Sequence, residues 1–265
     1  MGLIYFVLAL LFAWPLLVHG QIVASKANTP QVGKCPPRFS LVRKAGTPSK
    51  QHLSPSELAY LHARRSKVLP NAWKSYLANV QSCKISLPDY VTSILSGYGD
   101  ASPNLGIATS GGGYRAAIFG AGVLNALDGR NSTAVSTGTG GLLQAATYLS
   151  GLSGGSWLLT SLVQANFPPF HDLIFGSNSS NEYAGWLAQI GLIAPTNDSK
   201  KNQLFVAGLI AETKGKHDAG FPVTIGDVWA RVLARHFVNG TTTGNFFDNS
   251  SAHGAGITLS GLANM

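Results

Sequence analysis

Twice in this chain an apolar, strand-like run stops at a cluster of glycines and an apolar helical pattern begins. Leu105-Gly-Ile-Ala-Thr109 leads into Ser110-Gly-Gly-Gly-Tyr-Arg-Ala-Ala117, and helical spacing continues to Leu127. Thr147-Tyr-Leu-Ser150 leads into Gly151-Leu-Ser-Gly-Gly155, and a second helical pattern runs to Gln164. Few architectures accept that order. A strand that hands over directly to a helix does not return as a hairpin; the next strand lies parallel to it, with the helix covering the sheet. The expected fold class is α/β, a parallel-sheet core with covering helices.

The second glycine cluster has a further property. Gly151-Leu152-Ser153-Gly154-Gly155 fits G-x-S-x-G, the nucleophile-elbow pattern. A serine hydroxyl attacks an ester only if it stands clear of the backbone at a sharp strand-to-helix turn. Such a turn strains its central residue and brings neighbouring backbone close, which Gly151 and Gly155 allow. The helix that follows offers N–H groups and its positive dipole end where an oxyanion forms. The chain has 31 glycines in 265 residues, so the pattern alone fits a tight structural turn equally well.

Three ligands compete for the triple glycine. Gly111-Gly-Gly-Tyr-Arg-Ala116 formally fits a dinucleotide fingerprint, but no acidic residue ends a second strand about 20 residues later. A P-loop fails for want of its G-K-[ST] ending. The remaining use is an oxyanion hole for Ser153, with the Gly112 and Gly113 N–H groups as donors. A plain strand-to-helix turn explains either loop alone; both loops in one chain favour catalysis.

Composition narrows the setting. Charged residues are only 11% of the chain, and the net charge of +8 is scattered over short pairs such as Arg64-Arg65. No basic stripe with interleaved aromatics appears, which excludes a nucleic-acid interface. Leu3–Val18 is apolar but short of the roughly 20 residues of a membrane span. Residues 1–20 are expected to be a secretory signal cut after Gly20, with Ala24 as the alternative site. Sequons at Asn131, Asn178, Asn197, Asn239 and Asn249 agree with export and predict glycosylation in surface loops. The only cysteines, Cys35 and Cys83, can pair in an oxidising compartment, a bridge worth about 4 kcal/mol. No His/Cys cluster has zinc-ligand spacing, so a zinc site is not expected.

Residues 21–50, polar and rich in Pro, Gly and Lys, read as an extended segment ahead of the domain at 51–265. Ser54-Pro-Ser-Glu57 is a helix start, with Ser54 as N-cap and Glu57 closing a capping box. Leu58, Leu61, Ala63 and Val68 then predict an amphipathic helix, and Trp73, Tyr76, Leu77 and Val80 a second helical stretch. Trp186, Leu187, Ile190 and Leu192 form an apolar patch read as core rather than lipid contact. Helices are expected over 204–214 and 227–238.

With both glycine motifs in place, the chain resembles the fungal lysophospholipase (phospholipase B) family, whose catalytic domain is similar to that of cytosolic phospholipase A2 and patatin. Ser110-Gly-Gly-Gly-Tyr-Arg-Ala116 and Tyr148-Leu-Ser-Gly-Leu-Ser-Gly-Gly-Ser-Trp157 carry the likeness. The Cys35-Pro36 start, the Leu53–Arg65 helix and Asp227-Val-Trp-Ala-Arg231 support it from about Cys35 onward. The resemblance implies a Ser–Asp dyad in which Ser153 attacks the acyl ester and a carboxylate acts directly as base. Gly112 and Gly113 would form the oxyanion hole and Arg115 would hold the substrate phosphate. It also implies a phospholipid or lysophospholipid substrate met at a membrane or micelle surface, with no metal or other cofactor and no obligate protein partner. The family's dyad aspartate lies in an acidic, glycine-rich segment well beyond the serine, and nothing here matches it. The chain therefore reads as the N-terminal portion of a secreted or cell-surface enzyme, with an incomplete sheet. Two alternatives stand beside this. One is a secreted esterase with a His base, drawn from Asp227 and His253 or from Asp218 and His236. The other is a non-catalytic truncated glycoprotein.

Overall fold

The computed structural model describes residues 21–34, 42–96, 102–177, 184–255 and 257. In chain order the elements are α1 (Gln21–Ala27), a short hairpin of β1 (Gly46–Thr47) and β2 (Lys50–Gln51), α2 (Pro55–Ala63), α3 (Leu69–Ser82) and α4 (Val91–Leu95). Then come β3 (Leu105–Thr109), α5 (Gly113–Ala126), α6 (Ser132–Ser136), β4 (Ala146–Gly151) and α7 (Gly154–Gln164). The last are α8 (Phe170–Phe175), α9 (Ser199–Glu212), α10 (Lys214–Asp218) and α11 (Ile225–Phe237). A π-helical turn, Arg64–Val68, joins α2 to α3. The chain divides into two compact units: Gly33–Ser156, and Met1–Val32 together with Trp157–Met265.

The first unit mixes helix and sheet around a small parallel sheet, as an α/β chain should. β3 pairs in parallel with β4, Ile107 opposite Leu149 and Thr109 opposite Gly151. Helices α5 and α6 supply the crossover that parallel pairing demands. The register slips once. Leu105 faces Ala146 but Gly106 faces Tyr148, so Thr147 is an extra residue, a β-bulge at the start of β4. α3 buries Leu69, Trp73, Leu77 and Val80, a single stripe at i, i+4, i+8 and i+11. Leu69 and Trp73 meet Ala145 in a core that Tyr76, Leu105 and Leu142 extend.

α2 begins where Ser54 and Pro55 predict; the Ser54 hydroxyl accepts from Glu57 N at 3.1 Å. Its expected apolar face is a correction. α2 buries no residue, and Leu58 is 54% exposed. The wide π turn after Ala63 moves the helical face, so the buried stripe starts only at Leu69, and polar side chains hold α2 instead. The segment 21–50 is also less extended than expected. Gln21–Ala27 contains neither Gly nor Pro and is helical; Pro30 and Gly33 come only after it has ended.

The second unit is helical. Leu187, Phe205, Leu209, Val232 and Phe246 form its core, with Ile190 and Leu192 packed against it. Trp186 is buried too, its indole donating to Ser161 Oγ at 2.8 Å. The apolar patch at 186–192 is therefore core. Arg235, also buried, forms a two-pronged ion pair with Glu212 and donates to the Phe246 carbonyl at 3.2 Å. Among the described residues no helix is long and apolar enough to cross a membrane.

Candidate active site

One residue, Leu152, separates the end of β4 from Ser153. Ser153 has φ 52°, in the left-handed region, which costs a serine about 1–2 kcal/mol. Short backbone bonds hold it there. Leu152 N donates to Thr109 O at 3.0 Å, Gly155 N to Leu152 O at 2.9 Å and Ser156 N to Ser153 O at 2.8 Å. The Ser156 hydroxyl donates back to Gly151 O at 2.6 Å. The turn is as tight as the motif requires: a Cβ on Gly151 would stand 2.7 Å from Gly155 O. The Ser153 side chain itself is exposed.

The triple-glycine loop closes on the same point. A Cβ on Gly111 would lie 3.0 Å from Ser153 Cβ and 3.6 Å from Ser153 Oγ. A Cβ on Gly155 would come within 2.6 Å of Thr109 O and 2.8 Å of Ser110 O, and one on Gly154 would strike Gly113 O. The two strand-to-helix turns thus pack backbone on backbone, which only glycine permits. Gly112 sits at φ 136° and caps α5 without any side-chain hydrogen bond. The first N–H groups of α5 are left without a side-chain cap, next to the serine. Arg115 follows in the first turn of α5 and is exposed. A groove of about 580 Å³ lies along this helix, lined by Ile107, Ser110, Gly112, Arg115, Phe119 and Val123.

This arrangement joins an exposed hydroxyl and a helix N-terminus whose first turn carries an exposed cation. It can present a nucleophile to a carbonyl and receive the negative charge that develops. No side chain among the described residues hydrogen-bonds Ser153 Oγ. The histidine-based alternatives fare poorly. Asp227 is bound to Lys216 at 2.5 Å and to Thr224 N at 2.8 Å, and those bonds hold its carboxyl at about 2. His253 is buried, its Nδ1 2.9 Å from Thr241 Oγ1 and its Nε2 2.7 Å from Asp248 O, so it does not pair with Asp227. His236 is buried with Nδ1 3.1 Å from Leu187 O, whereas Asp218 is half exposed and pairs with Lys214. Burial pulls both imidazoles down to about 4. No group of three or more His, Cys, Asp or Glu suited to a metal occurs among the described residues.

A family model described as the lysophospholipase catalytic domain matches residues 105–255, from the first strand of the site onward. The chain belongs to that family. Among named relatives, lysophospholipase 2 of Candida glabrata is 34% identical over 93% of this chain and 33% of its own length. Lysophospholipase 1 of Aspergillus fumigatus is 36% identical over 86% of this chain and 35% of its own. Lysophospholipase 2 of Saccharomyces cerevisiae is 32% identical over 93% and 34%. The chain thus spans about a third of the length of the curated relatives it matches. No solved structure matches it significantly.

The other predicted positions in this lysophospholipase-family chain sort by surroundings. Asn197 is exposed. Asn131 caps α6, its Oδ1 accepting from Thr133 N and Ala134 N and its Nδ2 donating to Asn125 O. Asn239 Oδ1 accepts from Gly240 N at 2.8 Å. Asn249 accepts from Arg235 and lies against α9, where a Cβ on Gly208 would be 2.7 Å from its Nδ2. Asn178, Cys35 and the signal segment 1–20 lie outside the described residues. Cys83 carries a free thiol, its Sγ 3.3 Å from Ser136 O. Sequence reasoning did not anticipate that Tyr60 and Arg64 reach the backbone of β4. They are separated from it by 80 residues or more, and no local pattern signals the contact.

Proposed function

We propose that this chain carries the nucleophilic half of a lysophospholipase, hydrolysing the acyl ester of lysophospholipids and phospholipids. The carrying observation is the approach of Gly111 to Ser153, with a Cβ position 3.6 Å from the hydroxyl. Membership of the lysophospholipase family and the printed names of its relatives support the substrate class. In this reading Ser153 Oγ attacks the ester carbonyl, and its proton passes to an aspartate beyond the residues described here. The Gly112 and Gly113 N–H groups receive the tetrahedral oxyanion. The proton then moves to the departing glycerol oxygen, and water attacks the acyl-serine, releasing the fatty acid and restoring the serine hydroxyl. Arg115 holds the phosphate through charge-assisted hydrogen bonds. β3 and β4 form part of a patatin-like sheet, and the protein is exported and glycosylated, with Asn197 the most accessible described sequon.

Fatty-acid release from lysophosphatidylcholine micelles by a full-length protein that carries this chain together with the dyad aspartate tests the proposal. Ser153→Ala should abolish release, and Arg115→Ala should raise KM. Full activity in Ser153→Ala would remove this serine from the mechanism. No release by that folded full-length protein would favour the non-catalytic alternative.

A further inference from the structure

β4 delivers Ser153, yet its start is irregular. Thr147 is the bulge residue and has no partner position on β3. A bulge redirects every side chain after it, so its geometry sets how the strand enters the elbow. Something must define that geometry, because the regular register that fixes the rest of the strand skips the bulge residue.

Two side chains from the α2 region do this. Tyr60 Oη donates to the Thr147 carbonyl at 2.6 Å, so the bulge residue itself is held from outside the sheet. Arg64 Nη2 donates to Gln144 O at 3.0 Å and also to Ala146 O. Carbonyls immediately before and within the bulge are therefore gripped from outside the sheet. Tyr148, the next residue, answers in the other direction. Its hydroxyl donates to Glu57 Oε1 at 2.9 Å, and its ring meets Tyr60 edge-on at 6.2 Å. α2 buries no residue of its own, so these polar contacts rather than an apolar face tie it to the unit. The π turn starts at Arg64 itself, where the helix widens, a distortion that recurs at functional sites.

We infer that Tyr60 and Arg64 are positioning residues, clamping the bulged start of β4 so that the elbow holds Ser153 against the glycine loop. The inference rests on the proposed role of Ser153. Neither residue touches substrate. Loosening the clamp lets the elbow sample positions in which the hydroxyl and the loop no longer meet; substrate binding elsewhere is unchanged.

The test uses Tyr60→Phe, which removes one hydroxyl and keeps the ring on Tyr148, and Arg64→Lys, which keeps the charge and loses the forked grip. Both are made in the full-length protein that carries the dyad aspartate and are assayed on lysophosphatidylcholine micelles well below their melting temperatures. The expected result is a fall in kcat of about tenfold with KM unchanged, since small misplacements of a reacting group carry penalties of this order. Amide hydrogen exchange over residues 146–152 should quicken in Tyr60→Phe while exchange in α3 stays as in the parent. Unchanged kcat and unchanged exchange in Tyr60→Phe overturn the inference even if Arg64→Lys fails to fold. Activity retained in Ser153→Ala would instead overturn the proposed function. Faster exchange at 146–152 would then still support the clamp.

Discussion

Replacing Gly155 by alanine isolates the packing that brings the two turns together. In most helices that change stabilises, by about 0.5–1 kcal/mol, because alanine loses less backbone freedom on folding. At Gly155 the new methyl would stand 2.5 Å from Thr109 Oγ1, 2.6 Å from Thr109 O and 2.8 Å from Ser110 O. Two of those three atoms are backbone, so β3 or the glycine loop must move. Overpacking of this kind costs about 1–3 kcal/mol, which outweighs the propensity gain. The net loss should be about 1–2 kcal/mol, lowering Tm by about 2–8 °C at about 2–4 °C per kcal/mol. Gly122 supplies the internal comparison. It sits in the interior of α5, and a Cβ there meets nothing within 4 Å. Gly122→Ala should raise Tm by about 1–4 °C. Thermal unfolding followed by circular dichroism at 222 nm measures both. Equal Tm changes of the same sign in the two variants would refute the close approach of α7 to the glycine loop.

Further outcomes follow from the second unit. Glu212→Gln strands the buried guanidinium of Arg235 and should cost about 3 kcal/mol in urea unfolding; a loss under about 1 kcal/mol would show the pair to be solvated. His236 and His253 are held at about 4 when folded against about 6.5 when unfolded, so the unfolded chain binds protons first as pH falls. Their contribution to stability is complete above about pH 6.5 and is lost between about 6.5 and 4; urea midpoints should drop across that window, and a flat profile would contradict the burial of these rings. The depressed Asp227 carboxyl, at about 2, loses its contribution only below about pH 4. Peptide mapping of the protein produced through a eukaryotic secretory pathway should find glycan on Asn197 and none on Asn249, whose amide is packed against Gly208.

The parts of the fold legible from sequence are those where backbone geometry forces residue choice. Both strand–glycine–helix units were readable because Gly112, at φ 136°, and Gly155, pressed on Thr109, leave no room for other residues. Ser54 and Pro55 mark the start of α2 for the same local reason, whereas the expected capping box does not close, the Glu57 carboxylate accepting from Tyr148 instead. The burial of that helix was not readable. The spacing of Leu58 and Leu61 promised an apolar face, whereas a π turn after Ala63 and long-range polar contacts from Tyr60 and Arg64 decide where the helix lies. α8 was missed because Phe170–Phe175 is one turn and a half, too short for a periodicity to show. In the site, the serine and glycines could be named from their motifs, but the bulge at Thr147 could not, since register depends on a partner strand about 40 residues away.

Covalent trapping tests the role of Ser153 most directly. The purified full-length protein, carrying the dyad aspartate and treated with a fluorophosphonate before digestion, should bear the phosphonyl group on the peptide containing Ser153 and nowhere else. Prior Ser153→Ala should remove the label while the far-ultraviolet circular dichroism stays unchanged. A label on Ser110, or labelling that survives Ser153→Ala, would mean that the exposed hydroxyl at the elbow is not the nucleophile.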